Sequence, residues 1–243
     1  MNIPRPFYAT ICSAILLLSA APCHGDVKLP SVLNSHMVLQ RDAPLNFWGW
    51  AEAGEEITVT MGSASVSTKA DTDGNWNITL PAQKADKQPR TITIAGNNTV
   101  ELTDVLIGEV WVGSGQSNME WALSNTQNSK TAIAAANHPS IRLFHIPKVQ
   151  TKTPSADVKA EWKTCTSENI PRFSAVLYYF GIQLQKELDV PIGLINSSWG
   201  GSPIEPWTIA NESSGGMYNG MIAPIVQYPV QGVIWYQGET NVL

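Results

Sequence analysis

The sequence predicts a chain in two parts behind a leader. A small antiparallel β-sandwich is expected over residues 26–104, and a parallel α/β layer over residues 105–243, with residues 1–25 as a removable signal. Three observations carry this. Short segments of alternating apolar and polar residues, about ten residues apart, fill the first part, as in the half-buried strands of a sandwich. Uninterrupted apolar runs and an amphipathic helix fill the second, as in a sheet covered on both faces. Arg5, followed by the uncharged and mostly apolar stretch 8–21, makes the leader.

The leader's apolar stretch is shorter than the ~20 residues that span a bilayer. The small residues Cys23 and Gly25 favour cleavage after Gly25. Pro22 directly before Cys23 fits a lipoprotein signal poorly, and an uncleaved anchor is the remaining alternative. Cleavage implies a secreted or periplasmic protein with no membrane role beyond export.

In the sandwich region, Phe47, Trp48 and Trp50 form one apolar run. Ile57, Val59 and Met61 alternate with polar neighbours, and Val66 lies in a Ser/Thr-rich strand. Trp76, Ile78 and Leu80 alternate again, followed by Ile92 with Ile94 and Val100 with Leu102. Turn chemistry separates them at Gly54, Gly74 and the Gly96, Asn97, Asn98 run. After Val105, the apolar Val110, Trp111 and Val112 lead into glycines and a helix start near Ser117. Leu177, Phe180, Leu184 and Leu188 mark a helix over 174–188, capped by Ser174 and stopped before Pro191. Residues 192–195 and 232–235 are two more apolar strands. No flexible linker separates the parts near residue 104, so close packing is expected.

Composition excludes several function classes. Fifteen Lys+Arg against 20 Asp+Glu give a net charge of −5. Losing the leader removes Arg5 and no acid, leaving −6. Neither nucleic acid nor an anionic membrane is an expected partner. Cys165 is the sole cysteine outside the leader, so neither an intrachain disulfide nor a cysteine-pair zinc site is available after cleavage. There is no phosphate loop and no dinucleotide glycine fingerprint. The nine tryptophans are expected to be mostly core, although tryptophan faces also serve as sugar platforms.

Three polar clusters each follow an expected strand. They are Gly113 to Glu120, Asn196 to Ser202, and Trp235 to Asn241. In open α/β sheets, ligands bind beyond the carboxyl ends of the strands. A serine on a strand-to-helix turn there is exposed, and nearby backbone N–H groups can stabilise an anion. Taken singly, Ser117 reads as an N-cap, Gly200 with Gly201 as a turn, and Asn241 as a loop residue. Their combination and order point to a site.

Those blocks carry a resemblance. Gln116, Ser117, Asn118, Met119, Glu120, then Ser198, Trp199, Gly200, Gly201, then Trp235 to Asn241 resemble the sialate O-acetylesterase family of the SGNH hydrolases. So do the segments Leu29 to Leu33, His36 to Arg41, Trp48 to Trp50, Gly108 to Trp111 and Tyr218 to Pro224. The resemblance implies an SGNH-type, flavodoxin-like three-layer α/β hydrolase domain. It implies that Ser117 is the nucleophile. Its N–H, a backbone N–H of Gly200 or Gly201, and the Asn241 amide would form the oxyanion hole. Gln116, Gln237 and Glu239 would support them. The implied reaction removes O-acetyl groups from sialic acid or another acetylated sugar, with no metal or cofactor.

Two departures from the family pattern are visible. The family's general base is the histidine of a C-terminal Asp-x-x-His block, which is absent here. None of His24, His36, His138 and His145 is an expected substitute. The connection between Trp207 and Met217 is also shorter than in family members. The hydrolase domain is therefore expected to be incomplete, with an uncovered sheet edge or face. The alternative function is an inactive or sugar-binding remnant.

Overall fold

The computed structural model of the chain describes residues 25–209 and 215–242. The expected leader lies almost wholly outside the described residues, as does the middle of the short connection after Trp207. Strands β1 (Val38–Gln40), β2 (Leu45–Trp50), β3 (Glu56–Met61), β4 (Ala64–Lys69), β5 (Asn75–Leu80) and β6 (Asp86–Ala95) lead into the long strand β7 (Thr99–Gly115). Helices α1 (Ser117–Glu120) and α2 (Ser129–Ala135) follow, then β8 (Asn137–His145), β9 (Trp162–Thr166), helix α3 (Ala175–Leu188), β10 (Ile192–Ser198) and β11 (Gly232–Tyr236). The result is a sheet-dominated mixed α/β fold.

Strand β7 joins the two halves. Its first part pairs antiparallel with β6, which continues through β3 to β4. Its middle pairs parallel with β1, and its last part pairs parallel with β10 on one side and β11 on the other. Strand β10 in turn pairs parallel with β8, which carries β9 antiparallel. The β2–β5 ribbon is a separate antiparallel pair. Its Phe47, Trp76, Ile78 and Leu80 share one core with Ile57, Val59, Ile92 and Ile94.

That core extends without a break to Val112, Phe144, Trp162 and Ile195 of the parallel half. Residue 104, where the boundary between the parts was expected, lies inside β7. Asp104 takes a left-handed conformation (φ 54°), and its carboxylate accepts two bonds from Arg142 of β8, both 2.9 Å. Arg142 is 4% exposed, and its Nη2, shared by both carboxylate oxygens, ties the halves together. His36 adds a 2.7 Å bond to the same carboxylate through Nδ1.

Local rules explain helix α3. Ser174 caps α3 by accepting from the Leu177 N–H at 3.2 Å, worth ~1 kcal/mol. Asp189 ends it in a left-handed conformation (φ 53°). Ala175, Leu177, Tyr178 and Gly181 are buried, while Leu188 is exposed, so the buried face lies toward the N-terminal turns. Gly181 lets the helix approach β10: a Cβ there would meet Leu194 Cδ1 at 2.6 Å. No helix among the described residues is long and apolar enough to cross a membrane.

Candidate active site

Three strand ends meet at one edge of the parallel sheet. Gly115 of β7 stands in register with Ser198 of β10 and Tyr236 of β11. The chain leaves these strands as Gln116 with Ser117, Trp199 with Gly200, and Gln237 with Gly238. Backbone bonds lock the exits: Trp199 N–H donates to Gly115 O and Gln116 N–H to Tyr236 O, each at 2.9 Å. Gly115 sits at φ 131°, and a Cβ on it would fall 2.1 Å from Tyr236 O. Only glycine lets β11 lie this close to the turn before Ser117.

Ser117 is the first residue of the four-residue α1 and is exposed. The N-cap reading that Ser117 invites when taken singly does not hold. Gln116 occupies the cap position, and no side chain makes a capping bond there. The Ser117 hydroxyl has no hydrogen-bond partner among the described residues. Gly200 lies beside it; a Cβ on Gly200 would be 3.6 Å from Ser117 Cβ.

Side chains then stitch the three blocks together. Buried Gln116 donates through Nε2 to Glu239 Oε2 and accepts from Thr240 Oγ1 at 2.5 Å. Asn118 Nδ2 donates to Glu239 Oε1 at 2.5 Å. Gln237 Nε2 donates to Asn241 Oδ1 at 2.6 Å and to Ser202 O at 3.3 Å. Asn241 Oδ1 also accepts from Ile204 N–H at 2.9 Å, while its Nδ2 faces Glu205 Oε1 at 3.0 Å. Glu120 accepts from Gly200 N–H and pairs with Lys148, both at 2.5 Å. Lys148 Nζ also lies 5.8 Å from the Trp199 ring centre.

All seven residues singled out from the sequence, Gln116, Ser117, Gly200, Gly201, Gln237, Glu239 and Asn241, therefore belong to one edge. Gly201 stands at φ 76° with open space on its Cβ side. Among the described residues, Trp121 and Trp235 are exposed, at 51% and 42%. Four of the nine tryptophans, Trp48, Trp76, Trp162 and Trp207, are buried core.

A family model for carbohydrate esterases, sialic acid-specific acetylesterase, matches residues 107–243. The chain belongs to this family. It is 32% identical over 257 residues to human sialate O-acetylesterase, covering 88% of this chain and 49% of that one. It is 28% identical to the rat sialate O-acetylesterase, covering 99% and 57%. In structure it resembles a carbohydrate acetylesterase from Xanthomonas citri, with a TM-score of 0.85 and 40% identity. That match covers 89% of this chain and 52% of the other. The chain thus spans about half the length of the curated relatives it matches. These relatives are carboxylic ester hydrolases.

Each histidine among the described residues has a setting away from Ser117. His36 bonds Asp104, and His138 Nε2 lies 3.4 Å from Tyr178 OH. His145 ends β8 at the same sheet edge as the site. Its ring packs edge-on against Phe173 at 6.1 Å. Burial holds its pKa below the usual imidazole value; Glu120 opposes that shift and Lys148 adds to it. Among the described residues no imidazole hydrogen-bonds Ser117, and no cluster of three or more His, Cys, Asp or Glu could hold a metal ion. Cys165 is buried, and burial pushes its thiol up to about 12, which leaves it an inert core residue.

Sequence reading gave no role to Glu120, Lys148 or Glu205. For Glu205 a signal existed. A lone acid sits between Ile204 and Pro206, four residues past Gly201, where the turn back toward the site must form.

Proposed function

We propose that this chain carries the nucleophile and oxyanion hole of a serine-dependent carbohydrate O-acetylesterase. The observation that carries the reading is the convergence of the Ser117, Gly200 and Asn241 segments on one sheet edge. Ser117 Oγ attacks the acetyl carbonyl carbon, losing its proton to a general base. The tetrahedral oxyanion is held by fixed N–H donors, each worth ~10²–10³ in rate. The sugar oxygen leaves with a proton, and water then releases acetate from Ser117. The donors are the Ser117 N–H, a glycine N–H of the second block, and the Asn241 amide.

The substrate on this reading is an O-acetylated sugar, sialic acid among them, because the sialate O-acetylesterases and a carbohydrate acetylesterase are its relatives. The domain is SGNH-type on this reading, with a β-sandwich before it. Export by the leader would place the protein in the periplasm or outside the cell. The family resemblance puts the base on an Asp-x-x-His block.

The test is acetate release from an acetylated sugar by the 243-residue chain and by its Ser117→Ala variant. A Ser117-dependent rate, lost by at least about a thousandfold in the variant, supports the reading. Equal background rates overturn it for this chain and favour a remnant without a working base.

A further inference from the structure

We propose that Glu205 is a positioning residue: its carboxylate fixes the direction in which the Asn241 side-chain amide presents its N–H groups. The inference rests on the reading of Asn241 as an oxyanion donor, and it adds a residue that neither the blocks nor the resemblance assign.

An asparagine amide has two chemically different ends, and a half-turn exchanges them. In Asn241 both ends are read by neighbours. Oδ1 accepts from the Ile204 backbone N–H at 2.9 Å and from Gln237 Nε2 at 2.6 Å. Nδ2 faces both oxygens of Glu205, at 3.0 and 3.2 Å. After a half-turn, Oδ1 would confront a carboxylate and Nδ2 would confront a backbone N–H. Both contacts would be repulsive, so a single orientation survives. The acceptor that decides it is charged, and charge-assisted hydrogen bonds are roughly twice as strong as neutral ones.

Nδ2 carries two hydrogens. On this proposal the two Glu205 oxygens share one of them, and the second is left for a ligand oxygen. The Glu120 contact with Gly200 is different in kind, because a backbone N–H has only one hydrogen to give.

Glu205 is itself placed by its turn. Residues Glu205–Trp207 form a single turn with Pro206 inside it. Trp207 is buried and donates through Nε1 to Ser202 Oγ at 2.9 Å. The turn is thus anchored in the core while the Glu205 side chain reaches outward to a residue 36 positions away. Glu205 and Asn241 are both exposed. Removing the charge of Glu205 therefore removes little of the fold, which makes the substitution a clean probe.

The experiment compares the full chain with Glu205→Gln, Glu205→Ala and Asn241→Asp. Amide proton–nitrogen correlation spectra identify the Asn241 side-chain pair as the one missing in Asn241→Asp. In the unaltered chain one proton of this pair is expected well downfield of the other. Glu205→Gln should move it upfield, and Glu205→Ala should move it further, with thermal midpoints unchanged. Hydrolysis of para-nitrophenyl acetate should lose roughly tenfold to a hundredfold in kcat in Glu205→Gln, with KM within about twofold. An Asn241 pair that is the same in all Glu205 variants overturns the proposal. So does a loss confined to KM. If Ser117→Ala hydrolyses the ester as fast as the unaltered chain, the esterase reading fails, and the amide spectra alone then decide whether Glu205 orients Asn241.

Discussion

Strands β10 and β11 flank β7 on opposite sides, run the same way and both end in a block of the site. They are built differently. Every residue of β10 is buried, with β8 as its other neighbour and α3 packed on it. Strand β11 has β7 as its sole sheet partner among the described residues, and Val233, Trp235 and Tyr236 are 58%, 42% and 47% exposed. Val233 and Trp235 line an apolar cavity of about 320 Å3 together with Val112 and Trp207. The second block thus rests on packing. The third rests on polar stitches, Gln116 and Asn118 to Glu239 and Asn241 to Glu205. Packed elements hold position through many small contacts, whereas exposed hydrogen bonds contribute little each and compete with water.

The largest effect is expected where the two strands share a residue. Gly115→Ala must relieve both a φ of 131° and a 2.1 Å approach to the β11 backbone. Strain and overpacking each cost about 1–3 kcal/mol, so roughly 2–6 kcal/mol of stability should be lost. Urea unfolding measures the loss, and limited proteolysis should find new cleavage at 236–242 rather than at 199–202. Cleavage spread evenly over both blocks would show that β11 is no looser than β10.

A matched pair of truncations sharpens the contrast. Leu194→Ala in β10 opens a fully buried site under Gly181 and should cost about 2–5 kcal/mol. Val233→Ala in β11 removes an exposed side chain and should stay within about 0.5 kcal/mol. A Val233→Ala cost near that of Leu194→Ala would mean that the β11 face is covered in solution.

The same contrast explains what the sequence made legible. Strands β3 and β5 bury alternate residues, so their period of two is written in the residues. Strand β10 is buried on both faces and reads as an apolar run. Ser174 and Pro191 mark the ends of α3 by local rules. The continuity of β7 was hidden, because Asp104 interrupts its apolar pattern with a left-handed residue whose partners, Arg142 and His36, are distant in sequence. Strand β8 was hidden by Pro139 and a register shift between His138 and Arg142. At the site, three polar blocks, each after an apolar strand, singled out Ser117, Gly200, Gly201 and Asn241 as candidates. The contacts of Glu120 and Glu205 join residues 80 and 36 positions apart, and no local pattern encodes such pairs.

The smallest expected effect tests whether the β10 side also carries the pH response near neutrality. His138 and His145 both lie on β8, and burial lowers the pKa of each below the usual value of 6.5. The unfolded chain then binds protons more readily than the folded one. Stability from this source is fully present above about 6.5 and is lost as pH falls through that value toward the lower folded pKa. Asp42, Asp71 and Asp86 are also shifted, but downward from 3.8, so their loss falls at far more acidic pH. Urea midpoints between pH 7.5 and 5.5 therefore isolate the imidazoles. The unaltered chain should lose stability over that range, and a His138→Gln, His145→Gln double variant should lose less. Equal slopes for the two would remove the pH response from β8. It would then belong to groups outside the packed side of the sheet.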